Sequence, residues 1–81
     1  MGYKKNNLNH KYKLNSRLIY DRLEIMQKDL AWLGSQVGVG YQCILNNCRN
    51  QRILSPQNFE RMPGALGVSR DELLLPLGGG K

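Results

Sequence analysis

The sequence predicts an all-α domain of five short helices. Three observations carry that prediction. Apolar residues recur at helical spacing in stripes such as Ile19–Leu23–Met26 and Phe59–Met62–Leu66. Helix-capping residues precede the stripes at Asn15 or Ser16, Asp29, Ser55 and Ser69. Glycines follow them at Gly38 and Gly67, where a helix end favours a left-handed residue.

The first helix is "RLIYDRLEIM", capped by Asn15 or Ser16. Ile19, Leu23 and Met26 form one face, Leu18 and Ile25 widen it, and Asp21 and Glu24 lie on the other side. Asp29 caps the second helix, "LAWLGSQV", whose Leu30, Leu33 and Val37 share a face. Trp32 lies off that stripe, as edge core or as a dimer contact. Gly38 ends this helix and Gly40 opens a third, "YQCILNNC", with Ile44 its clearest core residue. Arg49, Asn50, Gln51 and Arg52 read as a polar exit loop. Ser55 followed by Pro56 is a strong helix start. The fourth helix carries the Phe59–Met62–Leu66 stripe, and Pro63 and Gly64 predict a kink or a break in it. Ser69 and Glu72 form a capping box for a fifth helix, "SRDELLLP", with Val68 stapled on Leu73 and Pro76 stopping it. The three leucines offer core filling or a share in a dimer interface.

These elements divide the chain into a flexible basic arm (1–14), one helical domain (15–76) and a flexible tail (77–81). A single domain in a chain of 81 residues buries only about 60–65% of its unfolded surface, so it is marginal unless it dimerises. So small a domain rarely builds a deep cleft, and no paired carboxylates or nucleophile–base pair stand out, so no enzyme is expected. Twelve basic residues against six acidic give a formal charge of +6, which favours an acidic partner such as nucleic acid. Lys4, Lys5, Lys11, Lys13 and Arg17 all precede the first acid, Asp21, as in a nucleic-acid arm or a solvated tail. The segment "KKNNLNHKYK" lacks the apolar core of a signal peptide, and no run approaches a membrane span. A cytoplasmic, nucleoid-associated protein is expected.

Cys43 and Cys48 are the only cysteines, and their spacing fits neither a zinc knuckle nor a redox pair. On one helix they stand about 140° apart, which argues against an intrahelical disulfide. His10 is the only histidine, so no metal site and no cofactor are expected. "GVGYQC" follows a helix rather than a strand, so it is not a nucleotide-binding glycine loop.

Helix, glycine turn, helix is the pattern of a helix-turn-helix. The turn needs a residue free to take positive φ, supplied by Gly38. The facing position must be small, supplied by Gly34. Leu33, Val37, Val39 and Ile44 are placed to close the corner. With "DLAWLGSQVGVGYQCI" and "SPQNFERMPGALGVSRDELL", the chain from Ser16 to about Pro76 resembles the lambda-repressor/Cro-like, xenobiotic-response-element (Xre) family. These are small all-α DNA-binding domains, commonly dimeric regulators of bacteria and their phages. The family often has alanine at the position of Gly34, serine or threonine at that of Gly40, and an apolar residue at that of Asn47. With Asn47 there, either Cys48 turns inward or the helix ends early.

The resemblance implies that the third helix lies in the major groove with its N-terminal residues facing base edges. Tyr41 and Gln42 are then the first candidates, with Asn46 one turn on. Gln and Asn suit adenine, and Tyr41 suits a thymine methyl or a phosphate. Arg49 and Arg52 suit phosphates or a guanine; Lys28 and the Gly40 N–H suit phosphates. Lys4 and Lys5 would track the backbone or enter a minor groove. The expected function is a sequence-specific transcriptional regulator, a repressor acting as a homodimer on a pseudo-palindromic operator in double-stranded DNA. Two alternatives stand beside it. One is an antitoxin or other interaction module that binds a neighbouring-gene protein and autoregulates. The other is nonspecific nucleic-acid binding through the arm, Tyr3 and Tyr12.

Overall fold

The computed structural model describes residues 11–76. Lys4, Lys5 and most of the expected arm lie outside the described residues, as does the expected tail. The described chain is mostly helical. β1 (Tyr12–Leu14) leads into α1 (Ser16–Met26), α2 (Leu30–Val37), α3 (Tyr41–Asn50), α4 (Pro56–Phe59) and α5 (Met62–Leu66). A 3-10 turn (Asp71–Leu73) and β2 (Leu74–Pro76) follow. No helix among the described residues is long and apolar enough to cross a membrane.

Local chemistry sets most helix ends. Asn15 caps α1 by accepting the Leu18 N–H at 3.2 Å, and Gln27 ends it at φ 61°. Ile19 and Leu23 are buried and Met26 half-buried, as the stripe predicts. Ile25 departs from expectation: it is 67% exposed, so the buried stripe of α1 is narrower than the sequence suggests. The fourth expected helix is broken into α4 and α5, with Pro63 in the first turn of the second piece, where a missing N–H costs nothing. Phe59, Met62 and Leu66 are nonetheless all fully buried. Arg22 reaches from α1 and donates its Nε–H to the Leu66 carbonyl at 2.9 Å, satisfying the end of α5.

The all-α expectation fails at the two ends of the described residues. β1 and β2 form an antiparallel pair with Lys13 opposite Leu75 and Leu14 opposite Leu74. The expected fifth helix is only a 3-10 turn. Its capping box does form: the Ser69 N–H meets Glu72 Oε1 at 3.0 Å and the Glu72 N–H meets Ser69 Oγ at 3.3 Å. One turn without propagation is unstable in isolation, and the ladder to β1 captures the next three residues instead. Pro76 sits at the strand's end, where the lack of an N–H is tolerated. The expected arm boundary also moves. Leu14 is fully buried, so the folded domain starts before residue 15.

One core joins all the elements. Leu14, Ile19, Leu33, Val37, Ile44, Phe59, Met62, Leu66 and Leu73 are all completely buried in it. Each such side chain contributes about 1.5–3 kcal/mol by leaving water. Trp32 is half-buried against its edge.

Candidate nucleic-acid interface

The corner between α2 and α3 is built by three local demands and one long-range tie. Asp29 caps α2 by accepting the Trp32 N–H at 2.9 Å. Gly38 turns the chain at φ 89°, and the N–H groups of Gly38 and Val39 both reach the Gly34 carbonyl, at 2.8 and 2.9 Å. A Cβ on Gly34 would stand 2.8 Å from the Val39 carbonyl oxygen and 3.3 Å from Ile44 Cγ2, so the close approach of α3 requires glycine here. Finally, Asn58 donates its Nδ2–H to the Val37 carbonyl at 2.6 Å, tying the turn to α4. Gly40 caps α3 through its backbone alone, with open space where a side chain would be.

Two alanine substitutions should therefore move stability in opposite directions. Gly34→Ala is expected to cost about 1–2 kcal/mol, because overpacking against fixed backbone outweighs the gain in helix propensity. Gly64→Ala, on α5 with nothing within 4 Å, is expected to add about 0.5–1 kcal/mol. Urea midpoints that shift in the same direction would refute the close-approach account.

The far end of α3 is held as firmly as the near end. Cys48 turns inward, 2% exposed, and the helix does not end early. It runs on to Asn50, so Arg49 and Asn50 are helical rather than part of an exit loop. Gln51 takes φ 55° and ends it. The half-buried Asn47 amide is held in place: its Nδ2 donates to the Arg52 carbonyl at 2.9 Å, and its Oδ1 accepts from Cys43 Sγ at 3.6 Å. The Leu14 N–H meets the Gln51 carbonyl at 2.9 Å, and the Ser16 hydroxyl donates to the Cys48 carbonyl. Burial pushes the Cys48 thiol up from 9.0 to about 11, so it stays protonated and inert near neutral pH.

At about 100° per residue, Ile44 and Cys48 point inward while Gln42, Asn46, Arg49 and Asn50 point out. All four of these outward residues are exposed, and Cys43 is exposed beside them. Gln42 and Asn46 are thus brought together with Arg49 on one face. Tyr41, 53% exposed, stands off that face. It lines a cleft of about 510 Å³ with Tyr20, Leu23, Glu24, Lys28, Asp29 and Leu30. The Lys28 ammonium also lies 5.4 Å from the centre of the Trp32 ring, a cation–π contact. Arg52 is exposed in the loop beyond α3, and Gly40 is exposed at its start. Sequence reasoning missed Asn50 on the outward face, although the Gln42–Asn46–Asn50 spacing of four carries that signal. It also missed Asn58 at the turn, for which the sequence holds no local signal. No cluster of three metal-ligating side chains occurs among the described residues. Comparison with family models, curated proteins and solved structures returned no match.

Proposed function

We propose that the chain is a sequence-specific DNA-binding regulator, a helix-turn-helix repressor that acts as a dimer on a pseudo-palindromic operator. The single observation behind this reading is the outward face of α3. Gln42, Asn46, Arg49 and Asn50 are exposed on it, on a helix anchored at both ends. A rigid helix presenting hydrogen-bonding side chains suits insertion into a major groove. The net charge of +6 supplies attraction to phosphates. In this reading Gln42 and Asn46 meet base edges, while Arg49, Arg52 and Lys28 meet phosphates. Tyr41 and the Gly40 N–H lie near the groove's rim, and Lys4 and Lys5 add backbone contacts. Neither catalysis nor a cofactor is part of the proposal.

A titration at several salt concentrations tests it, using the DNA upstream of the protein's own gene against scrambled DNA. Specific binding should favour the upstream site by about 10³ or more. Equal affinities with a steep salt dependence would support nonspecific binding instead.

A chemical footprint gives an independent prediction. Cys43 is exposed on the outward face and Cys48 is buried. A maleimide should alkylate Cys43 rapidly and Cys48 only on unfolding. Bound operator should slow the Cys43 reaction at least tenfold. Unchanged reactivity in the complex would place the DNA elsewhere.

A further inference from the structure

We infer that the cleft at the start of α3 is a binding site for a small organic cation with an aromatic body, a function separate from DNA recognition. The cleft is formed by α1, the link from α1 to α2 and the first residue of α3, and its volume is about 510 Å³. Small-molecule sites span about 300–1,000 Å³.

The floor of the cleft is apolar and fixed. Leu23 and Leu30 line it, and both are buried members of the core. Two aromatic rings line it as well, Tyr20 and Tyr41, and both are exposed. Neither phenol has an intramolecular hydrogen bond among the described residues. Tyr41 opens α3, so a filled cleft braces α1 against that helix.

The charge presented to the cleft is negative, although the chain as a whole carries +6. Glu24, Lys28 and Asp29 are the charged residues that line it. The Lys28 ammonium lies 5.4 Å from the centre of the Trp32 ring, and Trp32 lines no part of the cleft. Arg49 acts on the Tyr20 hydroxyl but does not line the cleft either. The Glu24 carboxylate has no hydrogen bond or ion pair among the described residues. Asp29 spends one oxygen, Oδ1, on the Trp32 N–H.

This combination selects the ligand's chemistry. Phenol faces attract a cation through their quadrupoles, and a free carboxylate adds a direct charge interaction. An anion meets the opposite field. A bare cation leaves Leu23 and Leu30 wet, whereas an aromatic body covers them. The volume also exceeds what one lysine or arginine side chain fills, which favours a whole small molecule over the tip of a peptide.

Equilibrium dialysis of the full chain against tetraphenylphosphonium tests the inference without DNA. One equivalent should bind with a Kd below about 1 mM. Tetramethylammonium carries the charge without the aromatic body and should bind at least about tenfold more weakly. Tyr20→Ala should weaken phosphonium binding about 2- to 30-fold. Glu24→Gln should weaken it about 2- to 5-fold. Both side chains are exposed, so circular dichroism of the two variants should match the parent. No binding below about 1 mM, equal binding of the two cations, or unchanged affinity in both variants overturns the inference. Displacement of the phosphonium by equimolar free peptide MGYKKNNLNH assigns the cleft to the chain's own first residues instead, and also overturns it. All of these outcomes leave the DNA-binding reading to its own titration.

Discussion

Leu14→Ala is expected to lower the stability of the domain by about 2–5 kcal/mol, enough to leave a marginal fold largely unfolded. Leu14 is completely buried although it lies ahead of α1 in the short strand β1. Truncation removes its transfer free energy and leaves a cavity lined by neighbours that are themselves pinned. The backbone of Leu14 is tied into the fold as well. Its N–H meets the Gln51 carbonyl at 2.9 Å, and its carbonyl accepts from Gln51 Nε2 at 3.4 Å. Gln51 is the residue that ends α3, so loosening β1 also frays the far end of the proposed recognition helix. A urea titration measures the loss. The neighbouring Lys11→Ala, at an exposed position, should stay within about 0.5 kcal/mol of the parent. A Leu14→Ala loss no larger than that would mean the segment behaves as the arm its composition suggests.

That segment shows where sequence reasoning stops. "NHKYKLN" is polar, basic and without a period, and nothing local marks Leu14 as core. Its burial depends on Leu74, which lies opposite it across the sheet but sixty residues away in the chain. The same long-range pairing turns the end of "SRDELLLP" into a strand despite a formed capping box. By contrast, α1 and α2 are legible because their signals are local. Asn15 and Asp29 each bond an N–H three residues on, and Gly38 adopts the positive φ the turn requires. Gly34 is legible for a steric reason, and the 2.8 Å approach to the Val39 carbonyl bears it out.

The candidate interface is legible to the same depth. Helical periodicity places Ile44 inward and Gln42 and Asn46 outward. It cannot tell a free amide from an occupied one. Asn46 and Asn47 are the same residue type at adjacent positions, and only the path of the chain to Arg52 distinguishes them. Nor does spacing alone reveal that Tyr41 faces the Lys28 cleft rather than the Gln42 stripe.

Ile44→Ala is expected to destabilise the domain by about 2–5 kcal/mol and to weaken DNA binding through the fold rather than through contact. Ile44 is fully buried, and its Cγ2 lies 3.3 Å from where a Cβ on Gly34 would be. It therefore fills the seam that the missing side chain of Gly34 opens between α2 and α3. Neither residue has a substitute there, because Val39 and Gly38 are both hydrogen-bonded to the Gly34 carbonyl and cannot close in. Gln42→Ala separates the two ways of losing affinity. It removes an exposed side chain, so its urea midpoint should stay within about 0.5 kcal/mol of the parent. Its preference for operator over scrambled DNA should nonetheless fall by about 5- to 150-fold. For Ile44→Ala, affinity should recover at low temperature or in a stabilising osmolyte as the folded fraction recovers, with base preference intact. If Ile44→Ala instead folds like the parent and changes base preference, then α3 is rotated from the orientation described, and the face carrying Gln42 and Asn46 is not the one that meets DNA.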